Sequence, residues 1–206
     1  MANIFDLFKQ IEKEREPLVP ITHIVAGLGN PGAEYTYTRH NAGFLAMDCL
    51  TRKLNVTVNR FKFNALTGEA TVAGRRVLLM KPQTFMNHSG ESVRDAAAFY
   101  KISPENILIL CDDINLDVGK LRIRRKGSDG GQRGLRDVIY QLNSDAFPRI
   151  RMGVGRVPPG GDVVNWVLGK LPETEREIFF KVLEQAAVAV PLIVEGKIDL
   201  AMGRCN

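Results

Sequence analysis

The segment 106–111 (NILILC), which is apolar after its first residue, is the feature of this chain that most constrains its fold. A strand with one face in solvent alternates apolar and polar residues, so an unbroken apolar run predicts a strand that is buried on both faces. Such a strand belongs to a sheet that is covered by helices above and below. The apolar segment 21–26 predicts another strand, and the helical periodicity over 42–54 predicts a helix that follows it.

The rest of the chain continues this alternation. The spacing predicts, in order, a hairpin at about 64–80 with its turn near 73–75, a helix at about 90–101, a strand at 121–124, a glycine-rich loop at 127–131, a helix at about 132–142 and a strand near 149–154. The last third predicts helices near 162–169, 173–187 and 188–202, with Pro191 starting or kinking the last one. We therefore predict an α/β fold: one three-layer domain over residues 21–206, with a mixed, mostly parallel twisted sheet and helices on both faces.

Residues 1–20 precede this domain and have a different character. Residues 4–15 place five apolar side chains on one helical face, and Pro17 and Pro20 then break the pattern, which predicts a short amphipathic N-terminal extension. Charged residues interrupt its apolar positions, unlike in a secretion signal, and no apolar stretch of the chain approaches the ~20 residues that a membrane span needs. We expect a cytoplasmic protein without a membrane partner.

Positive charge is concentrated in one part of the sequence. Residues 120–156 contain ten Lys or Arg and three Asp, a net charge of +7, whereas the whole chain carries +5. Most charge runs are solvated faces, but this excess is one-sided and interleaved with glycine, which favours a phosphate-binding surface. The three cysteines, Cys49, Cys111 and Cys205, lack the spacing of metal ligands, so we expect reduced thiols and no metal site.

The stretch 27–41 (GLGNPGAEYTYTRHN) supports two incompatible interpretations. Its glycines match the G-x-G-x-x-G fingerprint of dinucleotide-binding loops, which must lead directly into a helix and needs an acid at the end of the next strand. The segment 35–38 (YTYT) is a poor helix start, and Asp48, the acid at about the right distance, lies inside the helical pattern 42–54. This context argues against a nucleotide cofactor.

The second interpretation is a hydrolytic site. Asn30 follows the first predicted strand and His40 precedes the first predicted helix, while Asn87 and Asp112-Asp113 follow two other strands. Ligands of open α/β sheets bind at the carboxyl ends of strands, so we expect these side chains to meet there. A carboxylate would fix the tautomer of the imidazole, whose other nitrogen could take a proton from water, and the Asn amides could donate to a carbonyl that gains negative charge. Hydrolysis of an activated acyl bond without metal or cofactor follows.

Six ordered motifs then point to one family. They are 27–32 (GLGNPG), 38–43 (TRHNAG), 81–90 (KPQTFMNHSG), 127–135 (GSDGGQRGL), 147–155 (FPRIRMGVG) and 163–171 (VVNWVLGKL). With these motifs the chain resembles the bacterial, His-dependent peptidyl-tRNA hydrolases from residue 21 to about residue 195. The resemblance implies a monomer that cleaves the ester between a peptide and the 3′-terminal ribose of tRNA, and so returns tRNA to translation.

The resemblance also implies roles for individual residues. It assigns His40 as the general base that activates water and Asp112 as the carboxylate that orients it. Residues 163–168 would form a mobile lid over the site. Further positions implied are Asn30 and Asn87 for the substrate carbonyls and the attacked ester, Tyr35 and Met86 for the groove near the terminal adenosine and peptide, and Arg124 and Arg151 for the tRNA 5′-phosphate.

One motif departs from the family pattern. Where the family usually has Gly-Gly-His-Asn-Gly, residues 130–134 are Gly-Gly-Gln-Arg-Gly, so Arg133 replaces an Asn that helps to hold substrate and water. A second mismatch, Asn115 where an acid is common, is a milder one. Arg133 could turn outward and add a phosphate contact, with catalysis at a reduced rate. It could instead fill the groove, which would leave a weak enzyme that acts as an RNA-binding module, as in plant organelle splicing cofactors that resemble this family.

Overall fold

Seven strands form one sheet in the computed structural model, which describes residues 19–206. In chain order they are β1 (His23–Gly27), β2 (Arg60–Lys62), β3 (Ala65–Val72), β4 (Arg75–Pro82), β5 (Ile107–Asp113), β6 (Leu121–Arg124) and β7 (Arg149–Gly153). Across the sheet the order is β2-β3-β4-β1-β5-β7-β6. The central strands β4, β1, β5 and β7 run parallel, and antiparallel pairs complete both edges, which confirms a mixed sheet.

Helices cover both faces of this sheet. They are α1 (Ala42–Leu54), α2 (Ser89–Tyr100), α3 (Arg133–Leu142), α4 (Val163–Leu168), α5 (Glu173–Val194) and α6 (Ile198–Cys205). One apolar cluster joins the sheet to α1, α5 and α6, and a second joins the opposite face to α2 and α3. The predicted three-layer α/β domain is therefore confirmed.

Strand β5 is buried along its whole length. Leu108 and Leu110 belong to the cluster under α1 and α5, while Ile107, Ile109 and Cys111 belong to the cluster under α2 and α3. Each buried aliphatic side chain contributes about 1.5–3 kcal/mol to folding. The apolar segment thus stabilises both layers at once, and it places the two acids that follow it at the carboxyl edge of the sheet.

Two glycines let α1 begin directly against the sheet. A Cβ atom at Gly27 would lie 2.3 Å from the carbonyl oxygen of Gly43, and one at Gly43 would lie 2.3 Å from the carbonyl oxygen of Leu110. Real Cβ atoms do not come this close, so any larger residue would push the helix away from β1 and β5. This contact fixes the position of the turn that carries His40, immediately before α1.

The predictions and the structure differ at two places. The expected break near residue 187 is wrong: α5 continues to Val194 with Pro191 inside its last turn, because Ala186, Val190 and Ile193 keep packing on the sheet. Strand β2 was not predicted, since its three residues are exposed and show no apolar alternation. The predicted N-terminal extension, residues 1–20, lies outside the described residues except for its last two.

Candidate active site

A pocket of about 240 Å³ opens at the carboxyl ends of the central strands. Loops after β1, β4 and β5 line one side of it, the loop before α3 closes a second side, and α4 covers a third. Its lining includes most of the predicted site residues, namely Asn30, His40, Met86, Asn87, Asp112 and Arg133, together with Phe85, Gln132 and the apolar residues Val163, Val164, Val167 and Leu168.

His40 and Asp112 form a direct pair at the floor of the pocket. His40 lies in the 3₁₀ turn Arg39–Asn41, and its Nδ1 is 2.9 Å from Oδ2 of Asp112, at the end of β5. Both residues are buried, and an ionised carboxylate can only accept a hydrogen bond, so Nδ1 carries the proton. The Nε2 atom has no hydrogen-bond partner within residues 19–206, which leaves its lone pair available. The sequence prediction that these two side chains meet is confirmed.

The other oxygen of Asp112 is also held, by a residue that the sequence prediction missed. Gln132 is buried, and its Nε2 donates to Asp112 Oδ1 at 3.0 Å. Its Oε1 accepts a hydrogen bond from the backbone N–H of Leu135 at 2.5 Å and so caps the first turn of α3. The departure of residues 130–134 from the family pattern, which places Gln where the family usually has His, is the sequence signal for this residue.

Asn30 is fixed by hydrogen bonds on both its backbone and its side chain. Its N–H donates to Asn41 Oδ1 at 2.8 Å, and Asn41 Nδ2 donates to its carbonyl oxygen at 2.9 Å. The side-chain Oδ1 of Asn30 accepts the backbone N–H of Met86 at 2.8 Å. The bond from Met86 occupies the side-chain oxygen of Asn30, so its Nδ2 remains available as a donor at the pocket wall.

The loop after β4 carries three more lining residues. Phe85 has φ +60°, a value that non-glycine residues rarely adopt, and its ring is half exposed at the rim. Met86 is buried, with its sulfur 3.0 Å from Gln132 Nε2, and so forms part of the floor. Asn87 is exposed, and its carboxamide stands at the opening of the pocket.

Among the predicted substrate-binding residues, Tyr35 is the one that does not line this pocket. It ends the 3₁₀ turn Ala33–Tyr35 and is half exposed. Thr38 Oγ1 donates to the Tyr35 carbonyl at 2.9 Å, and Thr38 pairs with Lys170. Tyr35 therefore lies outside the pocket that Met86 lines, and its position in the groove near the terminal adenosine stays a prediction.

The predicted phosphate-binding arginines lie on neighbouring strands beside the glycine-rich loop. Arg124 is exposed on the edge strand β6. Arg151, on β7, has its Nε 3.0 Å from Asp113 Oδ2, in a direction that makes an ion pair without a proper hydrogen bond. A Cβ at Gly130 would lie 2.1 Å from a terminal nitrogen of Arg151, so the guanidinium lies against the loop. Among the described residues, Arg124 thus has no ion-pair partner, whereas Arg151 shares a carboxylate.

Arg133 and Arg149 differ sharply in their surroundings. Arg133 is the first residue of α3, is exposed at the mouth of the pocket, and has no ion-pair partner among the described residues. Arg149 is fully buried, and it donates to the backbone carbonyls of Gly127, Asp145 and Phe147. Burial lowers the pKa of the Arg149 guanidinium. Arg149 therefore anchors the glycine-rich loop, whereas Arg133 is free to contact a ligand.

Helix α4 covers the pocket and is attached beside His40. The guanidinium of Arg39 lies 3.9 Å from the ring centroid of Trp166, and Arg39 also donates to the carbonyl of Lys170 at 2.9 Å. The Trp166 indole donates to the Gly155 carbonyl at 3.0 Å. Since α4 turns its valines and Leu168 towards the pocket, it presents an apolar wall opposite the polar floor.

Two further properties bear on the chemistry of the site. Within residues 19–206 there is no cluster of three or more His, Cys, Asp or Glu side chains arranged to hold a metal ion. None of the helices in that range is long and apolar enough to cross a membrane. A buried imidazole beside a carboxylate, next to amide donors and under an apolar cover, is an arrangement typical of an α/β hydrolase.

Comparison with known proteins identifies the family. The family model described as peptidyl-tRNA hydrolase matches residues 24–206. The peptidyl-tRNA hydrolases of Caldanaerobacter subterraneus subsp. tengcongensis and Alkaliphilus metalliredigens are each 52% identical to this chain over 184 residues, which cover 89% of this chain and 99% of the relative. The crystal structure of the Acinetobacter baumannii peptidyl-tRNA hydrolase matches with a TM-score of 0.85 at 36% identity, over 93% of this chain and 97% of that one. The chain belongs to the peptidyl-tRNA hydrolase family.

Proposed function

We propose that His40 and Asp112 carry out in this chain the reaction of its family, the hydrolysis of the ester that joins a peptide to the 3′-terminal ribose of tRNA. The hydrogen bond between His40 Nδ1 and Asp112 Oδ2, inside the pocket at the strand ends, is the observation that supports this proposal. It orients the imidazole so that the free Nε2 can accept a proton from a water molecule, which then attacks the ester carbonyl.

The amide donors of the pocket complete the proposed site. Asn30 Nδ2 and the exposed Asn87 carboxamide stand where they could donate to the substrate carbonyls as negative charge develops on the attacked one. The apolar inner face of α4 and the buried Met86 would exclude water from the peptide and strengthen these interactions. The pocket residues thus divide among three roles, which are activation of water, stabilisation of charge and shielding.

The basic surface beside the glycine-rich loop is proposed to hold the tRNA. Arg124 and Arg151 lie on β6 and β7, the outer strands of one sheet edge, beside the loop that Arg149 anchors. A 5′-phosphate placed there would meet one free guanidinium and one that is only partly neutralised by Asp113. Arg133 would add a third cation at the pocket mouth.

The remaining features of the proposed function concern the whole protein. Its substrate arises where ribosomes work, so we propose that it acts in the cytoplasm, as a monomer. The family match begins at residue 24, which fits the proposal that residues 1–20 form a separate amphipathic extension.

A catalytically weak RNA-binding module is the alternative function, and Arg133 is the observation that favours it. In place of a carboxamide, this position carries a donor-only cation that cannot accept a hydrogen bond from the attacking water. The alternative predicts salt-sensitive tRNA binding with little turnover. The exposed, unpaired position of Arg133 fits a side chain that stays out of the floor of the pocket, so hydrolysis is the function we favour.

Hydrolysis of an N-acetylated aminoacyl-tRNA tests the proposal. His40→Ala should lower the rate by about 10²–10⁴-fold, the usual contribution of a positioned base. His88→Ala is the matched control, because it removes an exposed imidazole that pairs with Glu91 and lies outside the pocket. Wild-type rates for His40→Ala would refute the mechanism, and tRNA binding without turnover by the unmodified protein would support the RNA-binding alternative.

A further inference from the structure

We propose that Gln132 is a positioning residue of this hydrolytic site: its carboxamide holds the Asp112 carboxylate in the orientation that binds His40. The inference rests on the proposed function of His40 and Asp112. It concerns a residue that differs from the family's usual His at this position, so it is a property of this chain's own site.

The orientation of the Gln132 amide is determined by its two neighbours. The Oε1 atom accepts from the N–H of Leu135, which a side-chain NH₂ could not do. The NH₂ group must therefore point the other way, and there it meets Asp112 Oδ1 at 3.0 Å and the sulfur of Met86. A flipped amide would place donor against donor at Leu135 and acceptor against acceptor at Asp112.

Asp112 is consequently held at both oxygens. Oδ2 accepts from His40 and Oδ1 accepts from Gln132, and the carboxylate is buried. Among the described residues, no Lys or Arg forms an ion pair with Asp112, whereas the neighbouring Asp113 pairs with Arg151. The neutral amide is therefore the second donor, and a carboxylate with two fixed donors cannot rotate away from the imidazole.

The same amide links the catalytic floor to α3. Because Gln132 caps α3, the first turn of this helix, with Arg133 at the pocket mouth, is tied to the position of Asp112. A neutral His at position 132 could make the same two bonds, accepting with one ring nitrogen and donating with the other. It would lose its acceptor on protonation, however, and Gln cannot be protonated in this range. In this chain the two bonds therefore do not depend on the protonation of residue 132.

The decisive variant is Gln132→Glu, which retains the acceptor for Leu135 and the size of the side chain but removes the donor to Asp112. We expect kcat at pH 8 to fall roughly 10- to 100-fold, as expected for loss of a hydrogen bond to a charged group, while KM changes less than about threefold. The loss should shrink towards pH 5.5, because two carboxylates at this distance share a proton and that proton restores a donor. A purely structural defect would give the same loss at every pH.

Two further variants complete the test. Gln141→Glu is the matched control and lies near the end of α3. Gln141 accepts a hydrogen bond from Arg94, and a glutamate can keep that bond. The kcat of this variant should therefore equal that of the wild type. Gln132→His should retain kcat within about threefold at pH 8 and then lose activity more steeply than the wild type as the pH falls through the imidazole range. If Gln132→Glu fails to fold, the pH profile of Gln132→His decides.

The outcomes separate this inference from the function on which it rests. Wild-type kcat at pH 8 for Gln132→Glu, or a loss independent of pH, overturns the role of Gln132 while His40→Ala remains inactive. A Gln132→His profile that coincides with the wild type at all pH values overturns it equally. If His40→Ala itself keeps the wild-type rate, the proposed mechanism fails, and the positioning role fails with it.

Discussion

The guanidinium of Arg39 stacks on the indole of Trp166, with its central carbon 3.9 Å from the ring centroid. Arg39 immediately precedes His40, and Trp166 lies in the helix whose valines cover the pocket. The residue next to the proposed base therefore also holds the cover in place. This contact, together with the hydrogen bond from Arg39 to the Lys170 carbonyl, couples the position of α4 to that of the 39–41 turn.

Trp166 is the single tryptophan of the chain, so its fluorescence reports this contact directly. We expect Arg39→Met to shift its emission and to raise KM for N-acetylated aminoacyl-tRNA by roughly 5- to 30-fold, since a cation stacked on a partly buried ring is worth about 1–2 kcal/mol. Arg76→Met, which also removes a guanidinium that donates to a backbone carbonyl, serves as the control. Unchanged emission in Arg39→Met would contradict the coupling.

Asp112→Asn should leave the shape of the site unchanged and still inactivate it. An Asn side chain accepts with one atom only, so either His40 Nδ1–H or the Gln132 amide would face another donor, and the imidazole would shift to the wrong tautomer. We expect kcat to fall by about 10²–10⁴-fold with little change in the thermal unfolding temperature. The exposed Asp117, paired with Arg156, gives the control Asp117→Asn. A fall of less than tenfold would argue against orientation by Asp112.

Arg133→Asn tests the departure from the family pattern. Because Arg133 is exposed and unpaired at the pocket mouth, we expect its removal to weaken tRNA binding and to reduce the slope of log K against log salt by about one. The kcat should change less than about threefold. Arg136→Asn, in the same helix but paired with Asp129, is the control. A large gain in kcat for Arg133→Asn would show instead that the arginine obstructs the site.

The sequence predicts the features that depend on local signals and misses those that depend on contacts between distant segments of the chain. Helix α1 was predicted with its observed bounds, 42–54, because its apolar periodicity and the β-branched and aromatic residues before it are local signals. The sequence signal for the hairpin turn at Ala73-Gly74 is also local, and both residues have positive φ in the structure. His40 and Asp112 could be paired because the carboxyl ends of neighbouring parallel strands must converge.

The features that escaped prediction depend on contacts between distant segments. Gln132 acts at Asp112, twenty residues earlier in the chain, and nothing in its local sequence distinguishes a capping glutamine from an exposed one. Pro191 is a local signal for a break, but packing of α5 on the sheet overrides it, as tertiary contacts often override propensity.

Recognition of the 5′-phosphate should depend on Arg124. We expect the wild type to bind tRNA with a 5′-phosphate more tightly than tRNA with a 5′-hydroxyl, and Arg124→Ala to reduce this preference, because the free guanidinium on β6 would lose its charge-assisted hydrogen bonds. Arg60→Ala removes an equally exposed arginine from β2, the opposite edge of the sheet, and should keep the preference. Equal behaviour of the two variants would place the phosphate elsewhere.

The stability of the fold should decrease below neutral pH because of His23. This residue begins β1 and is buried, with Thr22 Oγ1 2.8 Å from its Nδ1, and its pKa is lowered, first by burial and second by the positive charge of Arg75. Well above pH 6.5 the imidazole is neutral in both the folded and the unfolded chain, so it contributes no pH dependence there. As the pH falls below that value the unfolded chain takes up the proton first, and the free energy of unfolding decreases by at most about 1.4 kcal/mol per pH unit for this one group.

Urea unfolding at pH 7.5 and pH 5.0 measures this effect. His23→Gln keeps a polar side chain beside Thr22 but cannot be protonated, so its free energy of unfolding should fall less between the two pH values than that of the wild type. His88→Gln, which removes an exposed imidazole, should retain the fall caused by His23. If the free energy of unfolding falls by the same amount in the wild type and in His23→Gln, protonation of His23 costs no more in the folded protein than in the unfolded chain. The acid sensitivity would then come from the carboxylates.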